Sequence, residues 1–159
     1  VEDNMFIIVH TQDCAHAAEK ISARLEDCRF VPVDEVLSEP SCLGDFDSLG
    51  LVFGRDGKAA PAQVMDFIRT VLRDYDLSGL QYMFSLCVCD GGPAHALKIV
   101  EKLCARTGCA PSLSTMVSPS AGDTDYDAIA ARIKSGEIQL AKGSIGTMWY
   151  MKAHGIKVK

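Results

Sequence analysis

A histidine, an aspartate, a cysteine and a second histidine fall within the seven residues His10-Thr11-Gln12-Asp13-Cys14-Ala15-His16, directly after an apolar run. Three kinds of chemistry suit those side chains. A metal site would need three or four convergent ligands. His10 ends a strand, whereas Cys14 and His16 lie two apart on a first helical turn and do not face alike, so metal is disfavoured. A reactive thiolate would gain from the helix N-terminus, which lowers a cysteine pKa. The phosphatase pattern C-x5-R nevertheless fails, because position 20 is lysine. An anion site would use free backbone N–H groups and the positive end of the helix dipole. Against it, Asp13 stands where an N-cap would accept those same N–H groups.

Two further stretches carry chemistry. In Gly54-Arg55-Asp56-Gly57-Lys58, two cationic side chains flank a flexible glycine. In Cys87-Val88-Cys89-Asp90-Gly91-Gly92, two thiols share one face of a strand and lead into a glycine turn. With no second cysteine pair, those thiols read as small buried hydrophobes rather than metal ligands. The glycines permit close backbone approach to a ligand, although such a stretch is also an ordinary turn into a helix.

These residues need elements to position them. Residues 5–10, 28–33, 48–54, 80–89 and 112–118 read as short strands, and the first is continuously apolar, as a strand covered on both faces is. Helices alternate with them. Ala17, Ala18, Ile21 and Leu25 share a helical face, as do Val64, Phe67, Ile68, Val71 and Leu72 behind Pro61. A fourth-strand turn leads to a helix with Pro93 at its start and Ala96, Leu97, Val100, Leu103 and Cys104 on its buried face. Gly108 ends it as a left-handed cap. Thr124 is the expected cap of a last helix carrying Tyr126, Ile129 and Ile133. Residues 34–47 read as an irregular connection, since Pro40 and Gly44 discourage regular structure. The tail, 136–159, with Trp149, Tyr150 and lysines 142, 152, 157 and 159, has no assignment.

Parallel neighbours need crossover connections, and those are right-handed. The fold class is therefore doubly wound α/β. In such sheets ligands bind outside the carboxyl ends of the strands, where strand order reverses, which selects the loops after strands one, three and four. The 159 residues form one domain, 1–159, and the net charge of −5 disfavours a nucleic-acid partner. No apolar stretch approaches the roughly 20 residues that span a bilayer, so no membrane partner is expected. Seven scattered cysteines without CxxC are read as reduced thiols in the cytoplasm. Cys14 and Cys42, in or beside loops, are expected to be the reactive ones.

The stretches "LGLVFGRDGKAAPAQVMDFIRTV" and "LSGLQYMFSLCVCDGGPAHALKIVEKLCARTG" resemble the flavodoxins, especially their short flavodoxin-like relatives, over roughly residues 5–135. The resemblance implies a three-layer sandwich whose five parallel strands run 2-1-3-4-5. It also implies noncovalent flavin mononucleotide (FMN) and electron transfer with a redox partner protein. Under it, Thr11, Gln12, Asp13, Cys14 and Ala15 hold the phosphate, while Gly54, Arg55, Gly57 and Lys58, with Cys87, Cys89, Asp90, Gly91 and Gly92, flank the flavin ring. The first loop departs from the family pattern S/T-x-T-G-x-T by lacking glycine and carrying a carboxylate. The second is shorter and lacks the aromatic residue that often stacks on the ring. A receiver domain would end strand three in aspartate, and a nicotinamide fold would show GxGxxG; neither occurs. Two functions remain: an FMN-dependent redox carrier or reductase module, and a flavodoxin-like domain without FMN that acts as a binding or interaction module.

Overall fold

Strand β1 (Phe6–His10) is buried along its whole length, and it lies at the centre of one half of the sheet. A computed structural model describes residues 5–141 and 145–157. Around β1, the strands β2 (Cys28–Pro32), β3 (Ser48–Gly54), β4 (Tyr82–Val88) and β5 (Leu113–Val117) form one parallel sheet in the order β2-β1-β3-β4-β5. This is the expected order 2-1-3-4-5.

Alternation along each strand divides the core in two. Ile7, Val9, Leu49, Leu51 and Phe53 point to one face. There they meet α2 (Val33–Ser38), α3 (Ala62–Asp66, continuing as a wider π-type turn over Phe67–Leu72) and α4 (Ala96–Thr107). Phe6, Ile8, Val52, Phe84 and Leu86 point to the other, beneath α1 (Ala15–Ser22) and α5 (Asp123–Lys134). The result is a helix–sheet–helix sandwich.

Three local expectations change, and a fourth region, left unassigned, gains structure. Residues 34–47 are not irregular: they hold most of α2 and a 3₁₀ turn at Pro40–Leu43. The chain must pass over β1 between β2 and β3, and such a crossover needs a covering helix. Asp34 and Glu35 also favour the positive end of α2. Pro40 and Gly44 bound the short turn, the latter at φ +60°. Second, α5 starts at Asp123 behind Gly122, not behind Thr124. The Asp125 carboxylate reaches back to accept the Gly122 N–H at 3.2 Å. Third, Pro93 precedes α4 by a turn and follows Gly91 and Gly92, which take φ of +76° and +112°. The Ala96 N–H closes that turn on the Pro93 carbonyl at 2.9 Å. Fourth, the tail has structure. Gln139 bridges Leu113 alongside β5, with the Ser114 N–H donating to the Gln139 carbonyl at 2.8 Å. This covers part of an edge strand.

Helix α6 (Ile145–Ala153) then packs on α4. Tyr150 stacks on His95 with ring centroids 4.7 Å apart, and the His95 imidazole shares a 2.9 Å hydrogen bond with the buried Thr147 hydroxyl. Of the tail residues noted above, Lys142 and Lys159 lie outside the described residues. Among the described residues no helix is long and apolar enough to cross a membrane.

Candidate functional site

Strands β2, β1 and β3 end together, and their ends open a cleft of about 420 Å³. The size lies within the roughly 300–1,000 Å³ of small-molecule sites. Its walls are Thr11, Gln12 and Asp13 after β1, Val33 and Asp34 at the start of α2, Gly54, Arg55 and Asp56 after β3, and Pro61 and Gln63 leading into α3. Strand order reverses here, between β1 and β3.

Thr11 is the deepest polar group of the cleft wall. Its N–H donates to the Val52 carbonyl at 3.1 Å, which ties the first loop to β3. Its Oγ1 is buried and meets no hydrogen-bond partner at standard geometry among the described residues, with the Cys14 thiol its neighbour. A buried hydroxyl without a partner costs roughly 1–3 kcal/mol, so a ligand oxygen there would recover that cost. Gln12 and Asp13 open a 3₁₀ turn, Gln12–Cys14, where helix-start N–H groups have no partner within the turn itself. The neighbouring His10 is buried, and its imidazole Nδ1–H donates to the Thr11 carbonyl at 2.7 Å. That bond gives His10 a structural task. Among the described residues no group of three histidine, cysteine or acidic side chains could hold a metal ion.

Two expectations for the first loop are corrected. Asp13 is not the N-cap of α1, because the 3₁₀ turn intervenes and the cap position falls to Cys14, with no side-chain capping bond. The Asp13 carboxylate instead lies over Gly54, where an added Cβ would come 3.5 Å from Asp13 Oδ2 and 3.4 Å from the Val88 carbonyl. Cys14 is buried, and burial, assisted by the Asp13 charge, pushes its thiol up to about 11. It is therefore a poor nucleophile at neutral pH, whatever the helix end contributes. Cys42 is half-buried, and burial and nearby glutamates raise its thiol too.

The remaining candidate residues are spread over three places. Ala15 opens α1 behind the first loop. Gly57, at φ +62°, and Lys58 form the tip of a tight turn closed by reciprocal Asp56–Ala59 backbone bonds of 2.9 and 3.0 Å. Cys87 is fully buried in β4, with burial and Cys89 raising its thiol, and the Cys89 N–H donates to the Val117 carbonyl at 2.9 Å. Asp90 is exposed and accepts the Ser118 hydroxyl at 3.1 Å. Gly91 and Gly92 are open, with nothing among the described residues within 4 Å of an added Cβ. The cleft thus unites Thr11, Gln12, Asp13, Gly54 and Arg55. The third loop stands outside its walls and meets the second through the His95 N–H, which donates to the Lys58 carbonyl at 3.0 Å.

Sequence reasoning missed Asp34, Asp56 and Gln63. The β2–α2 junction becomes a wall only because β2 lies next to β1 in the sheet, and its acidic helix start was the available signal. Three carboxylates, Asp13, Asp34 and Asp56, now face one guanidinium, Arg55. All four are exposed, which softens but does not remove their repulsion of an anion.

Fold and cleft together define a flavodoxin-like α/β domain. The comparisons agree: the chain is similar to rubredoxin oxygen:oxidoreductase from Desulfovibrio gigas (TM-score 0.61, 10% identity), matching 83% of this chain and 34% of that one. It is also similar to a Fusobacterium nucleatum flavodoxin bound to flavin mononucleotide (TM-score 0.56, 12% identity), matching 84% of this chain and 98% of that one. The chain thus spans about a third of the first of these structures. No family model and no curated protein matches it.

The donors in the first loop fit a phosphate: an unpartnered buried hydroxyl, helix-start N–H groups and a nearby arginine. The carboxylates weaken that fit, and among the described residues no aromatic side chain lines the cleft to stack on a flavin ring.

Proposed function

We propose that the strand-end cleft binds FMN through its phosphate and that the protein is a flavodoxin-like electron-transfer module serving a redox partner protein. The unpartnered Thr11 hydroxyl carries the reading, because it stands in the loop that a flavodoxin-like fold offers to a phosphate. When bound, FMN supplies one- or two-electron transfer, and the protein supplies binding and tuning. Thr11 Oγ1 and the N–H groups of Gln12 and Asp13 hold the phosphate, and Arg55 offsets part of its charge. Gly57 leaves the second loop free to bring a backbone N–H or carbonyl to the ring edge. Gly91 and Gly92 offer unobstructed N–H groups to the pyrimidine edge. The proposal includes a cytoplasmic setting, with which the seven free cysteines of the structure are compatible.

The excess of carboxylates over cations in the cleft favours a second reading, a flavodoxin-like domain without FMN that works as a binding or interaction module. One substitution separates the two. Asp13→Asn removes a charge beside the phosphate position while keeping the side-chain volume. In a fluorescence titration it should tighten FMN binding by several-fold, the equivalent of about 1 kcal/mol. The gain should shrink at high salt, because screening weakens a like-charge effect. Folding stability should move by less than about 1 kcal/mol, since Asp13 makes no capping bond. FMN fluorescence left unquenched by the parent and by the variant would favour the interaction module.

A further inference from the structure

The C-terminal end of α4 brings two thiols together at the opposite edge of the sheet from the cleft. Gly108 leaves the helix in the left-handed conformation at φ +91°. The Cys109 N–H then donates to the Cys104 carbonyl at 3.1 Å, and the Gly108 N–H to the Ala105 carbonyl at 3.3 Å. These are the two bonds of a Schellman cap, the motif in which the residue two beyond the helix packs its side chain on the residue three before the cap. Here those two residues are Cys109 and Cys104. Either side chain would ordinarily be apolar; both are sulfur.

From this juxtaposition the geometry points to a dithiol–disulfide couple, Cys104 and Cys109, that low-molecular-weight disulfides such as oxidised glutathione oxidise reversibly. Access exists on one side only. Cys109 is itself buried, at 5% exposure, but with Gly108 it lines a pocket of about 190 Å³ that opens between the starts of β4 and β5, whereas Cys104 has no exposure and sits in the core. Cys109 is therefore the attacking sulfur and Cys104 the resolving one. The Thr107 hydroxyl lies 3.6 Å from Cys109 Sγ and donates to the Cys104 carbonyl at 2.7 Å, holding the turn in place. Hydrogen bonding from Cys104 outweighs burial and brings the Cys109 thiol down to about 7, while the same contact and burial raise Cys104. Of the two sulfurs, the one beside the pocket is then the more acidic.

The exchange balances without a further reagent. The Cys109 thiolate attacks one sulfur of the disulfide and expels a thiolate, leaving a mixed disulfide. The Cys104 thiol loses its proton and attacks the Cys109 sulfur, expelling the second thiolate. One S–S bond breaks, one forms, and two electrons pass from protein to reagent. No step involves the strand-end cleft, so the proposal stands apart from FMN.

The test treats the folded, full-length chain with oxidised glutathione at pH 7, alkylates the remaining thiols and maps the products by mass spectrometry. A single internal Cys104–Cys109 bond, reversed by dithiothreitol, is expected. Alkylation of Cys109 in the untreated protein should run at least ten-fold faster than that of Cys14 or Cys87, and Cys104→Ser should trap one glutathione on Cys109. If Cys104→Ser fails to fold, phenylarsine oxide, which bridges paired thiols, should protect both cysteines of the parent from alkylation. Oxidation of other thiols while this pair stays reduced would overturn the proposal. A glutathione adduct on the parent's Cys109 that never closes, or no protection by the arsenical, would do the same.

Discussion

Replacing Gly50 by alanine should destabilise the fold by about 3 kcal/mol, the upper part of the usual range for overpacking a core. Gly50 pairs directly with Phe84 across β3 and β4, and the Phe84 ring lies over it. A Cβ on residue 50 would come 2.3 Å from Phe84 Cζ and 2.5 Å from Cε1, far inside contact distance. The ring has nowhere to go, because Phe84 is fully buried and faces Phe6 at 6.3 Å between centroids. Intrinsic preference argues the opposite sign, since glycine in a strand interior is about 0.5–1 kcal/mol worse than alanine. The sign of the change therefore identifies its cause. Urea unfolding should give a lowered midpoint with an unchanged slope. The double substitution Gly50→Ala with Phe84→Leu should recover part of the loss, because contacting sites couple. A Gly50→Ala protein as stable as the parent would mean that the ring does not cover residue 50.

Glu101→Ala should cost a similar amount, about 3 kcal/mol, for a different reason. The Glu101 carboxylate is buried and accepts the Ser114 hydroxyl at 2.5 Å, the Ala141 N–H at 2.6 Å and the Lys98 ammonium at 3.1 Å. It thereby joins α4, β5 and the tail segment that bridges β5. Alanine leaves the buried Ser114 hydroxyl and the Ala141 amide without this acceptor and the partly exposed Lys98 ammonium without its counter-charge, and unpaired donors are the expensive outcome. The loss should be local as well as global. Amide exchange at Ser114, Gln139 and Ala141 should accelerate more than exchange in β1, because the tail is released before the sheet opens. A loss below about 1 kcal/mol, or uniform exchange, would show that Lys98 and the tail are held by something else.

Much of this architecture was legible beforehand, for physical reasons that can be named. Short continuous apolar runs bounded by turn residues read as strands covered on both faces, so β1, β3 and β4 followed from that pattern and its alternation with helices, while the order 2-1-3-4-5 came from the flavodoxin resemblance. Gly108 was readable because only glycine takes the left-handed cap cheaply. Helix α2 was not, since six residues between a strand and a proline offer too little periodicity to compete with the breakers Pro40 and Gly44. The tail bridge at Gln139 was invisible because the segment is held at Ala141 by Glu101, forty residues away in sequence, and at Gln139 by the edge of β5. At the site, a single 3₁₀ turn displaced the helix start and moved Asp13 from cap to cleft wall. Local spacing cannot report such a shift. Nor can it report that Asp34 joins the same cleft, which depends on β2 pairing with β1. The Cys104–Cys109 contact is the reverse case, written in the sequence by a cap glycine but dismissed with the other scattered cysteines.

The central claim is that the Thr11 end of the cleft holds the phosphate of FMN. Its most direct test compares the affinities of FMN and riboflavin, which lacks the phosphate, for the parent and for Thr11→Val. The parent should prefer FMN by at least about ten-fold, or roughly 1.4 kcal/mol. The preference should narrow several-fold in Thr11→Val, with riboflavin affinity unchanged. Equal binding of the two ligands by the parent, or a preference that survives in Thr11→Val undiminished, would contradict the claim.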